Sequence, residues 1–340
     1  MDSEGGGDSA DRIGAGGHPV GAYREPGADE LERCERHPRG GSGRRRKVAE
    51  VTAKVLDGEA RAGRVRAEVA EEVARLRARG IQPGLGTILV GDDPASARYV
   101  ALKHEDCAKV GIESFQEHLG SDTSAAELAA AVGRFNANPA VDAFLVQVPL
   151  PRHLDEFAAL MAVDPDKDVD GLHPVNLGRL VMGVEGPLPC TPAGIVELLV
   201  HYGVPVEGRN VVVIGRGLTI GRPLALLLAS KRPGCNAAVT VVHTGVADLA
   251  SYVRRADVVI AAAGRAGIVT ADMVKSGAAV VGAGTSFAGR HLLSDVDAGV
   301  AEVAGWMTPR LGGVGPMTRA MLLKNAVRAA RRRLAPTAPA

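Results

Sequence analysis

Residues 211–228 read VVVIGRGLTIGRPLALLL: an apolar run, a glycine-rich loop and a second apolar stretch. The run 211–214 predicts a buried strand, and Pro223 stands in the first turn of a helix, where no N–H donor is needed. The glycines between them, Gly215, Gly217 and Gly221, form GxGxxxG, one residue longer than the common dinucleotide pattern. In such a unit, backbone N–H groups and the positive helix end face a phosphate. A plain turn with incidental glycines is the alternative that this stretch alone leaves open.

Strand and helix patterns alternate along most of the 340 residues. The helix over 96–112 is expected to begin at Ser96 and to end near Gly111. The predicted strands are 84–91, 141–151, 211–214, 238–243, 257–264 and 277–284. The other predicted helices are 58–80, 124–138, 221–231, 246–255 and 319–335. Strands that alternate with helices of this length form parallel sheets. We therefore predict an α/β fold of two domains with parallel sheets and a ligand cleft between them.

Residues 1–48 have few apolar residues and no periodicity, which predicts a disordered N-terminal tail. They contain no apolar segment of the kind found in a secretory signal. The four cysteines are scattered and form no CxxC pair, which is typical of reduced thiols. Together these features favour a cytoplasmic location.

The formal net charge of +1 favours neither nucleic acid nor a membrane surface as a partner, and no apolar run is long enough for a membrane span. A metal site is not expected either. The acid-rich segment 164–170 contains Asp164, Asp166, Asp168 and Asp170, whose spacing does not fit a calcium-binding loop.

The strand after the glycine loop indicates which dinucleotide the chain binds. Folds that prefer NAD place an Asp or Glu at its end, where it binds the ribose 2′-hydroxyl. Here the strand ends in His243 and Thr244, without an acid. Arg216 inside the loop carries a guanidinium suited to a 2′-phosphate. We therefore expect NADP.

The first half of the chain holds the candidate reactive groups. Tyr99 and Lys103 are four residues apart, so they share one face of the 96–112 helix. Gln147 stands at the end of a predicted strand, where open α/β sheets bind ligands, and Asp168 and Asp170 follow in a loop. Taken singly, Lys103 reads as a solvated surface lysine, and Asp170 can equally be a turn former beside Gly171.

Six sequence segments occur in order along the chain: DDPASARYVALKHEDCAKVGI, VQVPLP, DKDVDGLHPVNLGRL, PCTPAGIVELL, VVVIGRGLTIGRPLALLL and GGVGPMTRAMLL. Together they resemble the signature segments of the bifunctional methylenetetrahydrofolate dehydrogenase/methenyltetrahydrofolate cyclohydrolase family. The resemblance runs from about Ala53 to Leu334. It implies a folate-binding catalytic domain over 49–190 and 314–335, and a Rossmann-like NAD(P)-binding domain over 191–313.

The resemblance also implies the reaction and the site residues. The family oxidises 5,10-methylenetetrahydrofolate with NADP to the methenyl form and hydrolyses that form to 10-formyltetrahydrofolate, for one-carbon metabolism that feeds purine and amino-acid biosynthesis. Lys103 matches its catalytic lysine, Tyr99 the tyrosine along the folate, Gln147 the glutamine that tunes the lysine, and Asp170 the aspartate that holds the pterin. A homodimer through the cofactor domain is implied as well.

The remaining implied residues fall into two groups. Those at the substrate are Val146, Pro149, Leu150, Gly312, Gly313 and Pro316. Those at the cofactor are Gly215, Arg216, Gly217, Ile220, Gly221, His243, Thr244, Ala263, Gly264 and Thr285.

Several positions depart from the family pattern. Gly217 replaces a serine, Gly282 the aspartate of VIDVGI, Leu311 a proline, and Thr244 a serine. The lysine set is intact, so the departures leave the cyclohydrolase chemistry in place and make the dehydrogenase half the part to test. The alternatives are a cyclohydrolase-only enzyme and a non-catalytic folate- or nucleotide-binding paralogue. A third, an unrelated Rossmann oxidoreductase, is disfavoured by the intact set of Lys103, Gln147 and Asp170.

Overall fold

The structure is a computed structural model that describes residues 53–288 and 291–334. The tail predicted over 1–48 lies outside these residues. Within the described ranges, no helix is both long and apolar enough to cross a membrane.

The first sheet has three parallel strands in the order β3–β2–β4. They are β2 (Gly84–Val90), β3 (Glu113–Leu119) and β4 (Ala143–Val146). Every residue of β2 is buried, because it is the central strand and helices cover both faces of the sheet.

Helices precede, connect and follow these strands along the chain. In chain order they are α1 (Gly58–Arg77), α2 (Pro94–Val110), α3 (Ala125–Ala137), α4 (Glu156–Ala162), α5 (Pro174–Met182) and α6 (Cys190–His201). Helix α2 ends as predicted, at Gly111 in a left-handed conformation with φ 81°. The predicted start at Ser96 is wrong by two residues. Asp93 caps the helix instead, since its carboxylate accepts a 2.8 Å hydrogen bond from the N–H of Ser96 and Pro94 fills the first turn.

The second sheet has six parallel strands in the order β1–β11–β8–β7–β5–β6. They are β1 (Lys54–Val55), β5 (Asn210–Ile214), β6 (Ala238–Val242), β7 (Val258–Ala261), β8 (Ala279–Gly282) and β11 (Trp306–Met307). Helices α7 (Gly221–Ala229) and α8 (Leu249–Val253) connect them. The α/β fold with two parallel sheets is therefore confirmed.

Some elements were not indicated by the sequence pattern. Helix α5 begins at Pro174, four residues after Asp170, so the acidic segment itself stays a loop and the helix follows it. An antiparallel pair, β9 (Thr285–Ala288) and β10 (His291–Ser294), follows β8.

One core joins the two sheets. The last helix, α9 (Val314–Arg331), packs against α1 and α6. A single buried cluster contains Val65 of α1, Leu198 of α6 and Leu323 of α9 together with Val211 and Ile260 of the six-stranded sheet. The shared core fixes the carboxyl ends of both sheets relative to each other. The domain boundaries named from the sequence remain a prediction.

Candidate active site

Lys103 and Gln147 meet where α2 passes the carboxyl end of β4. Nζ of Lys103 donates a hydrogen bond of 2.9 Å to Oε1 of Gln147. The backbone of Gln147 is fixed, because its N–H donates to the carbonyl of Ile88 on β2 at 2.8 Å, and its Nε2 donates to the carbonyl of Val148 at 2.6 Å. The amide oxygen is therefore oriented toward the lysine.

The surroundings of Lys103 shift the pKa of its ammonium group downward. Burial lowers the pKa of Lys103, and the negative charge of Asp170 opposes that shift. Burial also raises the pKa of Asp170, while the Lys103 ammonium lowers it and Asp168 raises it further. The pKa values of Lys103 and Asp170 therefore lie closer together than those of exposed Lys and Asp side chains.

Two buried thiols lie near this pair. Burial raises the pKa of Cys107 to about 12 and that of Cys190 well above its ordinary value. Both stay protonated, so Asp170 supplies the negative charge that the lysine senses.

The two aspartates singled out in the sequence have different roles. Asp168 is buried, and its carboxylate accepts hydrogen bonds from the N–H of Gly171, the N–H of His173 and Nδ2 of Asn176, at 2.8–3.0 Å. It folds the loop. This leaves Asp170 as the acid available to a ligand.

The other acids of the segment 164–170 do not converge. Asp166 pairs with Arg179 at 2.9 Å and with Arg332 at 3.1 Å, and Asp164 caps the N–H of Asp166. Across residues 53–288 and 291–334, no cluster of three or more His, Cys, Asp and Glu is arranged to hold a metal ion.

Tyr99 lies one turn before Lys103 and is 54% exposed. An exposed aromatic ring beside a half-buried lysine offers a flat apolar surface to a ring-shaped ligand. Of the three substrate positions near Gln147, Val146 is half-buried and Pro149 is exposed, whereas Leu150 is buried in the core.

The loop before α9 is fixed to the start of α1. The N–H of Glu59 donates to the carbonyl of Gly312 at 2.9 Å, and a Cβ on Gly58 would lie 1.7 Å from the carbonyl oxygen of Gly313. Gly312 has φ +77°, a conformation that glycine adopts without strain. Pro316 follows, half-buried in the first turn of α9.

The glycine loop fits a dinucleotide phosphate. A Cβ on Gly215 would lie 2.2 Å from the carbonyl oxygen of Ala262, and one on Gly221 would lie 2.2 Å from that of Gly215, so only glycine permits this packing. A Cβ on Gly217 would meet no described atom within 4 Å. The loop is thus closed toward the sheet and open toward a ligand at the N-terminus of α7.

The other predicted cofactor residues lie along the same edge of the sheet. Arg216, Thr244, Gly264 and Thr285 are exposed, and Ile220, His243 and Ala263 are half-buried. Nδ1 of His243 accepts a 3.1 Å hydrogen bond from the N–H of Gly245. Because parallel strands end together, these residues follow β5, β6, β7 and β8 at one rim.

Asp295 is a site residue that the sequence analysis missed. Its buried Oδ2 accepts hydrogen bonds from the N–H groups of Ala263, at 2.7 Å, and Gly264, at 2.9 Å. Its Oδ1 has no hydrogen-bond partner among the described residues. Asp295 therefore orders the loop after β7. Asp295 is not part of any of the sequence motifs. Its contact with the loop after β7 is visible only from its position in the fold, directly after β10.

Taken together, the fold and the site define a two-domain α/β protein with a nucleotide-binding edge and a separate lysine–carboxylate centre. Two family models match the chain. Residues 56–170 match tetrahydrofolate dehydrogenase/cyclohydrolase, catalytic domain, and residues 189–334 match the NAD(P)-binding domain of the same family.

Known relatives agree with these matches. Bifunctional protein FolD of Syntrophotalea carbinolica is 57% identical over 283 residues, which cover 83% of this chain and 98% of the relative. The crystal structure of bifunctional FolD from Campylobacter jejuni superimposes with a TM-score of 0.79 at 40% identity, over 83% of this chain and 99% of that one. The Trypanosoma brucei methylenetetrahydrofolate dehydrogenase-cyclohydrolase, complexed with NADP cofactor and inhibitor, gives a TM-score of 0.78 at 40% identity, over 83% and 98%. The chain belongs to the tetrahydrofolate dehydrogenase/cyclohydrolase family.

Proposed function

We propose that this protein oxidises 5,10-methylenetetrahydrofolate with NADP to 5,10-methenyltetrahydrofolate and hydrolyses that product to 10-formyltetrahydrofolate. The observation that carries the proposal is the 2.9 Å hydrogen bond between Lys103 and Gln147, within the electrostatic reach of Asp170 and inside the family's catalytic domain.

In the dehydrogenase half, bound NADP supplies the hydride acceptor. The glycine loop and Arg216 hold the phosphates, and Asp295 fixes the backbone of Ala263 and Gly264 along the same edge. No side-chain acid is needed at the reacting carbon, because the neighbouring substrate nitrogen stabilises the cation that forms. The protein's task is to place the folate and the cofactor face to face.

In the cyclohydrolase half, a water molecule adds to the methenyl carbon and one carbon–nitrogen bond then breaks. Lys103 in its neutral form accepts one proton from that water, which leaves a hydroxyl on the carbon, and returns this proton to the departing nitrogen. The hydroxyl proton is released to solvent as the formyl carbonyl forms. Gln147 orients the lysine, Asp170 holds the pterin and tunes the lysine's charge, and Tyr99 lies along the folate. These four roles are part of the proposal.

The first test follows absorbance with purified full-length protein. Methylenetetrahydrofolate with NADP should yield reduced cofactor, and methenyltetrahydrofolate alone should be consumed. Cyclohydrolysis without reduction of NADP or NAD would show that the dehydrogenase half is lost. Tetrahydrofolate binding without either reaction would identify a non-catalytic paralogue.

The second test addresses the lysine. Lys103→Met should lower cyclohydrolase kcat by about 10²- to 10⁴-fold, the usual contribution of a general acid–base, while folate binding persists. Lys109→Met is the matched control, because Lys109 is on the same helix but exposed, 3.8 Å from Asp106. An unchanged rate in Lys103→Met would refute the assignment.

The proposal extends to assembly and setting. Strand β6 is a sheet edge with exposed Ala238, Thr240 and Val241, which suits pairing with a second copy in a homodimer through the cofactor domain. Light scattering after size-exclusion chromatography measures the oligomeric state.

The reduced thiols Cys107, Cys190 and Cys235 suit a cytoplasmic location, which cell fractionation can test. There the product would feed one-carbon units into purine and amino-acid biosynthesis, so deletion of the gene should create a requirement for those compounds.

A further inference from the structure

Asn325 of α9 joins two backbone segments beside the active site. Its Nδ2 donates hydrogen bonds of 2.9 Å to the carbonyl of Val169 and of 2.9 Å to the carbonyl of Leu188. An amide nitrogen has two hydrogens, so both are used. The alternative flip would turn the amide oxygen toward two carbonyl oxygens, which fixes the orientation.

The segments that Asn325 joins enclose Asp170. Val169 is buried and directly precedes Asp170, and the N–H of Cys190 donates to the carbonyl of Asp170 at 3.1 Å. The thiol of Cys190 adds a second hydrogen bond to the carbonyl of Val169, at 3.2 Å. The backbone on both sides of the Asp170 carboxylate is therefore held by the segment 188–190 and by Asn325.

The two segments lie in direct contact. A Cβ on Gly171 would lie 2.5 Å from the carbonyl carbon of Leu188, so no larger residue fits at that position. Asp170 lies between Val169 and Gly171. A small change in the distance between Val169 and Leu188 therefore moves Asp170.

We propose that Asn325 is a positioning residue for folate binding, which acts by holding the Val169 and Leu188 carbonyls and thereby the carboxylate of Asp170. This inference rests on the proposed function, because it assigns Asp170 to the pterin. Asn325 touches no reacting atom itself. Its donor pair matches the two carbonyls, which neither an apolar side chain nor a single hydroxyl can do.

The test replaces the amide without removing its volume. In Asn325→Leu, the folate KM of both activities and the tetrahydrofolate Kd from calorimetry should rise by about tenfold, the effect of a poorly placed charged hydrogen bond, while the NADP Kd stays unchanged. A purely structural role would reduce the folded fraction and hence apparent kcat, with the folate KM intact. Asn325→Ser serves where the leucine variant does not fold, since one hydroxyl can satisfy only one carbonyl.

Asn136→Leu is the matched control. Asn136 is also half-buried and also joins two segments, because its Nδ2 donates to the carbonyl of Ala162 and its Oδ1 accepts from the N–H of Asp164, both at 2.8 Å. It should lose stability and keep the folate KM. An equal rise in folate KM in the control, or wild-type folate KM and Kd in folded Asn325→Leu or Asn325→Ser, would overturn the inference and leave the proposed function intact. Wild-type protein that neither turns over nor binds folate would instead refute both.

Discussion

Lys103 of α2 donates a 2.9 Å hydrogen bond to Gln147, the residue directly after β4. A neutral partner lets the lysine keep a lowered pKa, whereas an acid in the same place would favour its charged form. The amide of Gln147 therefore leaves the proton affinity of Lys103 low, which a carboxylate in its place would raise.

Gln147→Glu should move the pH profile of the cyclohydrolase. The neutral lysine is the base, so kcat rises as pH passes its pKa. A carboxylate at this distance raises that pKa, which shifts the rising limb to higher pH and lowers the rate at neutral pH. Measuring kcat against pH for the wild type and the variant checks this. A limb that stays in place would show that Lys103 is not the titrating base.

Asp170→Asn should weaken substrate binding and stabilise the fold. Loss of a charged hydrogen bond to the pterin raises the folate KM by roughly ten- to hundredfold. Because burial raises the pKa of Asp170 in the folded state, the wild type loses stability as pH rises from the unfolded pKa, about 3.9, through the raised folded value. The variant lacks this loss. Its Tm should exceed that of the wild type by more at pH 7 than at pH 4.

Asp168→Asn is the contrasting variant for that experiment. Asp168 accepts three hydrogen bonds inside its own loop, so its replacement should cost about 1–3 kcal/mol of stability. A stability loss in Asp170→Asn that matches the loss in Asp168→Asn would contradict the division of roles.

The sequence predicted the parts of the site that lie on regular elements. Lys103 and Tyr99 share a face because helical spacing is fixed, and Gln147 follows a strand that its apolar run identifies. Contacts between segments distant in the chain were not predictable. Asp295 holds the backbone at Ala263, and Asn325 holds that at Val169, and neither pairing leaves a local pattern. The cap at Asp93 was missed because Ser96 is an equally good capping residue.

Gly282→Asp, which restores the family residue, should destabilise this chain. A Cβ at Gly282 would lie 3.0 Å from Oγ of Ser294, 3.4 Å from Cγ2 of Val296 and 3.6 Å from Oγ1 of Thr308. The space is already filled, and overpacking costs about 1–3 kcal/mol. Ser294→Gly should recover part of the loss in the double variant. Denaturant unfolding of both single variants and the double measures the coupling, and simple additivity would show that Ser294 does not occupy the space.

Arg216→Ala should weaken NADP binding and spare NAD. Arg216 is exposed on the loop, and its guanidinium forms no hydrogen bond or ion pair with any residue that the structure describes. A charge-assisted contact to the 2′-phosphate is expected to contribute at least about tenfold in Kd. Arg209→Ala controls for net charge. Arg209 is exposed at the amino end of β5, whereas Arg216 follows the carboxyl end of the same strand. Equal weakening of NADP and NAD in Arg216→Ala would argue against a 2′-phosphate contact.

Gly217→Ser should be tolerated and should tighten NADP binding. A Cβ at this position meets no described atom within 4 Å, so the serine that the family usually carries fits without displacing a neighbour. Stability should change by less than about 0.5 kcal/mol, as for other surface substitutions. The new hydroxyl can donate to a phosphate oxygen, and one neutral hydrogen bond corresponds to roughly a two- to tenfold lower Kd. Titration with NADP measures the change. A weaker Kd would mean that the ligand itself approaches Gly217 closely, and that the glycine serves the cofactor.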